Sequence, residues 1–140
     1  MEVPVAQDFR ELRVWQDAMA LAEAVHTVTR KFPSEERFGL TSQLLRASVS
    51  IASCIAEGNA RSSTRDYLRF LSMSCGSVAE VETQLLLAQR FGYLSDTDVS
   101  SLLTPLHGLA RQLQALKKAL SSRLAASHAF PVSRFPFPAR

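Results

Sequence analysis

A chain of 140 residues with 46% hydrophobic side chains is the size of one domain and can bury one core without metals or crosslinks. Its net charge of +3 is unevenly spread: residues 1–98 hold ten Lys or Arg against all thirteen Asp and Glu, and residues 99–140 hold six cations unopposed. No stretch approaches the ~18 apolar residues of a membrane span, and the opening MEVPVAQDFRELRVW lacks the plan of a secretion signal, so a cytoplasmic protein with no membrane partner and with reduced thiols at Cys54 and Cys75 is expected.

From Leu12 to about Lys31, the spacing of Leu12, Trp15, Met19, Ala22 and Val25, with Ala18 and Val28 alongside, predicts a first helix. It should end at Phe32-Pro33, because proline disfavours α geometry in the residue before it. A second helix starts at Ser34 or Thr41, carries Leu40, Leu44, Ala47, Ser48, Ile51 and Ile55 on one stripe with Leu45, Val49 and Ala52 beside it, and should stop at a left-handed Gly58. Ser63 with Asp66 reads as a capping box opening a third helix over about 64–91, whose stripe runs Tyr67, Leu71, Ser74/Cys75, Val78, Val81, Leu85 and Ala88 until Gly92. Ser95 with Asp98 repeats that signature, and leucines at three-four spacing from Leu102 to Leu124 predict a fourth helix, kinked or broken at Pro105.

Short loops between long helices force antiparallel neighbours, so the fold expected is an all-α, up-down-up-down four-helix bundle over residues 1–126. Residues 127–140, SHAFPVSRFPFPAR, hold three of the eight Phe and three of the six Pro and form a C-terminal tail whose Phe side chains are candidates for docking on this or a neighbouring subunit.

The sequence offers no catalytic or cofactor motif. His26, His107 and His128 lie on separate segments without metal-ligand spacing, so neither a metal nor a cofactor is expected. A hairpin about residues 59–62 sets Cys54 level with residue 67 and Cys75 ~12 Å farther along, too far for a disulfide. Glu57 opposes the helix dipole in the last turn of its helix, which calls for a cation such as Arg61, Arg46 or Arg65, either as an ion pair locking the turn or around a functional carboxylate. Arg61, Arg65 and Arg69, four residues apart, would line one face of the third helix and could follow a phosphate backbone, although such stripes are often only solvated. Lys117, Lys118 and Arg123, like Arg111, have no acid nearby in sequence and could attract polyanions or simply complement the dipole of the last helix. No exposed aromatic platform for stacking bases is evident.

The run LTSQLLRASVSIASCIAEGNARSSTRDYLRFLSMSCGSVAEVETQLLLAQRFGYL, Leu40 to Leu94, together with Phe9-x-x-Leu12-x-Val14-Trp15 and the Phe32 to Leu40 segment, resembles the four-helix-bundle family of 23S rRNA intervening-sequence proteins. The residues matching its pattern are Gln43, Arg46, Ala47, Ser50, Ile51, Ile55-Ala56-Glu57-Gly58, Arg61, Phe70, Leu71, Gly76, Ser77, Glu80 and Glu82, whereas Cys54 stands where the family usually has Asn. The resemblance implies a homo-oligomer, most simply a pentameric ring. A related fold, the accessory protein of diversity-generating retroelements, implies a nucleic-acid-binding partner of a reverse transcriptase. The apolar surface of the second and third helices, wider than a monomeric core uses, also asks for self-association. The function expected is therefore non-enzymatic binding of RNA or DNA through phosphates, with Arg61, Arg65, Arg69, Arg111, Lys117, Lys118 and Arg123 as contacts; the alternative is a protein-interaction scaffold with no nucleic-acid role.

Overall fold

The computed structural model describes residues 7–128, and the four predicted helices are all present: α1 (Arg13–Val28), α2 (Leu40–Ala60), α3 (Thr64–Arg90) and α4 (Asp96–His128). Short 3-10 turns at Phe9–Glu11, Thr29–Lys31 and Ser34–Glu36 flank α1 and lead into α2. Residues 1–6 and 129–140, with the predicted docking of the tail's Phe residues, lie outside the described residues. α4 runs through Pro105 without a break and ends at His128, two residues past the expected end of the bundle.

Hydrogen bonds between helices fix the topology. Tyr67 reaches Asn59 (3.4 Å), Ser74 donates to the Ile51 carbonyl (2.6 Å) and Ser77 donates to Ser50 (2.9 Å), so α3 descends as α2 rises. Glu82–His107 (2.7 Å) and Cys75–Gln114 (3.7 Å) do the same for α3 and α4, and Asp17–Gln112 (2.6 Å) and Lys31–Asp98 (2.7 Å) for α1 and α4. With α1 also packed on α2, the four helices close an antiparallel square around the core.

The predicted stripes of α2, α3 and α4 face that core, where Leu44, Ile51, Ile55, Leu71, Val81, Leu85, Leu106, Leu109 and Leu113 are fully buried. On α1 the buried set is Val14, Ala18, Leu21, Val25 and Val28. The predicted Trp15–Met19–Ala22 line is rotated to the side, because α1 carries two overlapping apolar stripes and the second faces the groove with α2.

Gly58 does not stop α2. It lies inside the helix, and Gly92 (φ +80°) is the glycine with a positive φ among the described residues, ending α3 as predicted. What Gly58 supplies is proximity: a Cβ there would meet the Phe70 Cβ at 2.9 Å and Tyr67 Cδ1 at 3.0 Å. Small residues along the seam, Ala47, Ser48, Ser50, Ser74 and Ser77, extend this close approach, and the buried hydroxyls of Ser48 and Ser74 bond backbone carbonyls.

Because α2 runs on to Ala60 and α3 begins at Thr64, the turn falls later than expected and the register shifts. The α2–α3 pairs put Cys54 level with about residue 72, so Cys75 is only about a turn away rather than the ~12 Å expected. Both thiols are free because they face different neighbours, Cys54 toward Ser50 and Cys75 toward Gln114 on α4.

Candidate nucleic-acid interface

One end of the bundle collects cations. There the α2–α3 turn, the segment before α1 and the last turns of α4 surround a cavity of about 380 Å³, lined among others by Asn59, Arg61, Ser62, Ser63, Thr64 and Arg123. Arg61 and Arg123, far apart in sequence, thus share one opening beside the first turn of α3. Ser63 caps that turn through its Oγ, which accepts from the Asp66 amide (3.1 Å), and the helix N-terminus adds positive potential.

Arg61 is not on α3. The helix begins at Thr64, so Arg61 occupies the extended turn residue after α2 and its guanidinium lies 4.7 Å from the centre of the Phe70 ring. Arg69 approaches the same ring at 4.8 Å and is held by Asp66 at 3.7 Å. The expected three-arginine stripe is therefore a pair on α3, Arg65 and Arg69, with Arg61 brought alongside by the buried Phe70. Among the described residues, no ion pair holds Arg61, Arg65, Lys117, Lys118 or Arg123.

The α3–α4 register sets Lys117 and Lys118 within about a turn of the level of Arg69. Arg111 is not brought to this end. Twelve residues before Arg123, it lies ~18 Å up α4 on the outer face it shares with Lys118.

Glu57 forms no ion pair among the described residues, contrary to the expected lock on the turn. Arg61 is drawn onto Phe70 instead, and Arg46 sits three helical turns away. Exposed Glu57 thus remains solvated at the margin of the cationic end.

A second polar region runs along the α2–α3 seam, where Gln43, Arg46, Ser50, Ser77, Glu80 and Gln84 line a groove of about 380 Å³. Gln84 is only 8% exposed, and its Oε1 has no hydrogen-bond partner among the described residues. Five of these six residues were singled out by resemblance, Arg46 also as a candidate partner of Glu57, and Gln84 was missed. The available signal was a polar stripe at three-four spacing on each helix, beside the apolar one. The cavity-lining Asn59 and Thr64 were likewise missed.

Two apolar features complete the surface. α1 and α2 flank a groove of about 520 Å³ lined by Met19, Ala22, Val49 and Ala52, with Val49 56% exposed. At the other end of the bundle, Phe38 is 88% exposed beneath the Arg37 guanidinium, and Phe91 is exposed beside Tyr93. The expectation of no exposed aromatic platform is corrected at one ring: Phe38 precedes the first turn of α2, where the core stripe does not reach.

Among the described residues, no helix is long and apolar enough to cross a membrane. No curated protein matches the sequence significantly. The fold is similar to the crystal structure of a protein of unknown function from the S23 ribosomal protein family of Bacteroides thetaiotaomicron, with a TM-score of 0.70 and 22% identity over 75% of this chain and 98% of that one. The family model described as 23S rRNA-intervening sequence protein matches residues 10–115, which span all or most of each of the four helices. With the helices, the seam and the predicted motif residues in place, the chain belongs to the family of 23S rRNA-intervening sequence proteins.

Proposed function

We propose that this protein is a non-enzymatic, cytoplasmic homo-oligomer, a pentamer by family resemblance, that binds RNA or DNA through backbone phosphates at its cationic end. The observation that carries the proposal is the shared opening of Arg61 and Arg123 beside the α3 N-terminus, with the amide of Asn59 and the hydroxyls of Ser62, Ser63 and Thr64 around it. Guanidinium groups, hydroxyls and helix N-termini are the groups that hold phosphate oxygens. Arg65, Arg69, Lys117 and Lys118 extend the surface, while Arg111 contributes only to the outer face of α4. Phosphate contacts fix position without reading sequence. Several copies of one modest surface bind a long polyanion far more tightly than one copy does.

A gel shift at low salt with a mixed RNA tests this. The double reversal Arg61→Glu/Arg123→Glu is expected to lower affinity at least tenfold, and the Lys117→Glu/Lys118→Glu pair to lower it less, since those residues lie beyond the cavity. Unchanged affinity in both variants refutes the assignment. The exposed Phe38 and the apolar α1–α2 groove favour a second reading, a scaffold for another protein such as a reverse transcriptase. In that case neither reversal changes what the protein captures, and Phe38→Ser does.

A further inference from the structure

The apolar groove between α1 and α2 continues past Val49. Met19, Ala22 and Ala52 shape its first hollow, of about 520 Å³, and a second hollow of about 460 Å³ shares Val49 and Ser53 with it and is lined further by Leu45 and Arg46. The short side chains of Ala22 and Ala52 leave the first hollow wide enough for a large apolar group. Exposed Glu23 borders it, and neither Glu23 nor Arg46 forms an ion pair among the described residues. An occupant that fits offers two large apolar groups, one on each side of Val49, and a cation at the Glu23 end.

We propose that the C-terminal tail of a neighbouring copy occupies this groove, with Phe135 and Phe137 in the two hollows and Arg134 beside Glu23. In an extended segment residues two apart share one side, roughly 7 Å from each other, and Phe135 and Phe137 each precede a proline, which disfavours α geometry at both. Residues 129–140 carry Arg134 and Arg140 and no acid, so their charge complements Glu23, and Arg46 at the far hollow can donate to the segment's carbonyl groups. Reach excludes the chain's own groove. The pairs Asp17–Gln112 and Lys31–Asp98 set Ala22 level with residue 107, so His128, where α4 ends, is twenty-one residues or ~32 Å farther along the bundle. Phe135 follows His128 by seven residues, which span at most ~25 Å when fully stretched. A ring of identical subunits joins two different patches at every contact, and groove and tail are such a pair. Resting on the homo-oligomer proposed above, this contact names what holds its copies together. It belongs to this chain rather than to the family pattern, since the matched residues 10–115 stop short of the tail.

Light scattering of the full chain tests the contact. Phe135→Ser/Phe137→Ser empties the groove and Val49→Glu blocks it, so each variant alone is expected to run toward the mass of one chain. Mixed one to one, they should form a heterodimer, because the first keeps an intact groove and the second an intact tail. Glu23→Arg should raise the dissociation constant of the assembly about fivefold, and adding Arg134→Glu to the same chain should restore it. An assembled wild type whose mass the serine variant leaves unchanged overturns the inference and leaves the homo-oligomer standing on other contacts. Dissociation of both variants without pairing in the mixture also overturns it, because the tail then docks away from the groove. Failure of the double charge change to restore assembly refutes the placement of Arg134 at Glu23. A wild type that stays a single chain at high concentration removes the homo-oligomer and the inference together.

Discussion

Gly58 shows how a single residue sets the geometry of the candidate site. Its missing side chain lets α2 and α3 close until Phe70 fills the gap, and Phe70 in turn carries the guanidinium groups of Arg61 and Arg69. Replacing Gly58 by Ala gains up to ~1 kcal/mol of helix propensity. The new Cβ, 2.9 Å from the Phe70 Cβ, forces the helices apart at a cost of roughly 1–3 kcal/mol, because neither atom is the movable end of a flexible chain. Steric cost wins, so Gly58→Ala is expected to lower the urea unfolding midpoint, and an unchanged or raised midpoint would show that the seam tolerates separation. The sequence identified Gly58 as special but assigned the wrong reason, since a glycine near a helix end signals a left-handed stop and a close approach equally well. Arg61 was legible as a cation and illegible as a partner of Phe70, because that contact needs the turn to fold back.

At the scale of elements, helix starts were the most readable feature. Ser95 and Asp98 form a reciprocal box, the Ser95 Oγ accepting from the Asp98 amide at 3.1 Å and the Asp98 carboxylate accepting from the Ser95 amide at 3.2 Å. Lys31, at the end of the turn after α1, donates to the same carboxylate at 2.7 Å and ties α1 to α4. That bond, followed by those from Ser95, holds the Asp98 carboxyl below its ordinary value of 3.8. A depressed carboxylate contributes stability above the pKa of the unfolded chain and loses it as pH falls through the lower folded value. Asp98→Asn should therefore unfold at lower urea than the wild type at neutral pH, with the gap closing below about pH 3.8. A gap constant with pH would assign the effect to capping geometry alone. The long-range partner Lys31 was not foreseeable from local pattern, and neither was the rotation of α1. Two apolar stripes at the same spacing share Ala18, Val25 and Val28, and only the neighbouring helices decide which one faces inward.

For the whole molecule, the four-helix order followed directly from apolar periodicity and short connections. The cationic end did not, because it joins the α2–α3 turn to residues of α4 some sixty positions later. Charge asymmetry along the chain pointed to α4, and the fold shows that Arg123, but not Arg111, shares a cavity with Arg61 of the α2–α3 turn. Assembly belongs to this scale too. If the proposed homo-oligomer, rather than a foreign partner, covers the apolar α1–α2 groove with half-exposed Val49, Val49→Glu is expected to shift the mass seen by light scattering toward the monomer without unfolding the chain. A monomeric wild type at high concentration would remove both the contact and the multivalency argument. Phosphate binding at the cationic end is read out by the salt dependence of binding to a mixed-sequence RNA. With cations of the shared end displacing counterions, log K is expected to fall linearly with log salt with a slope of roughly −3 or steeper. An affinity that persists unchanged into molar salt would contradict it.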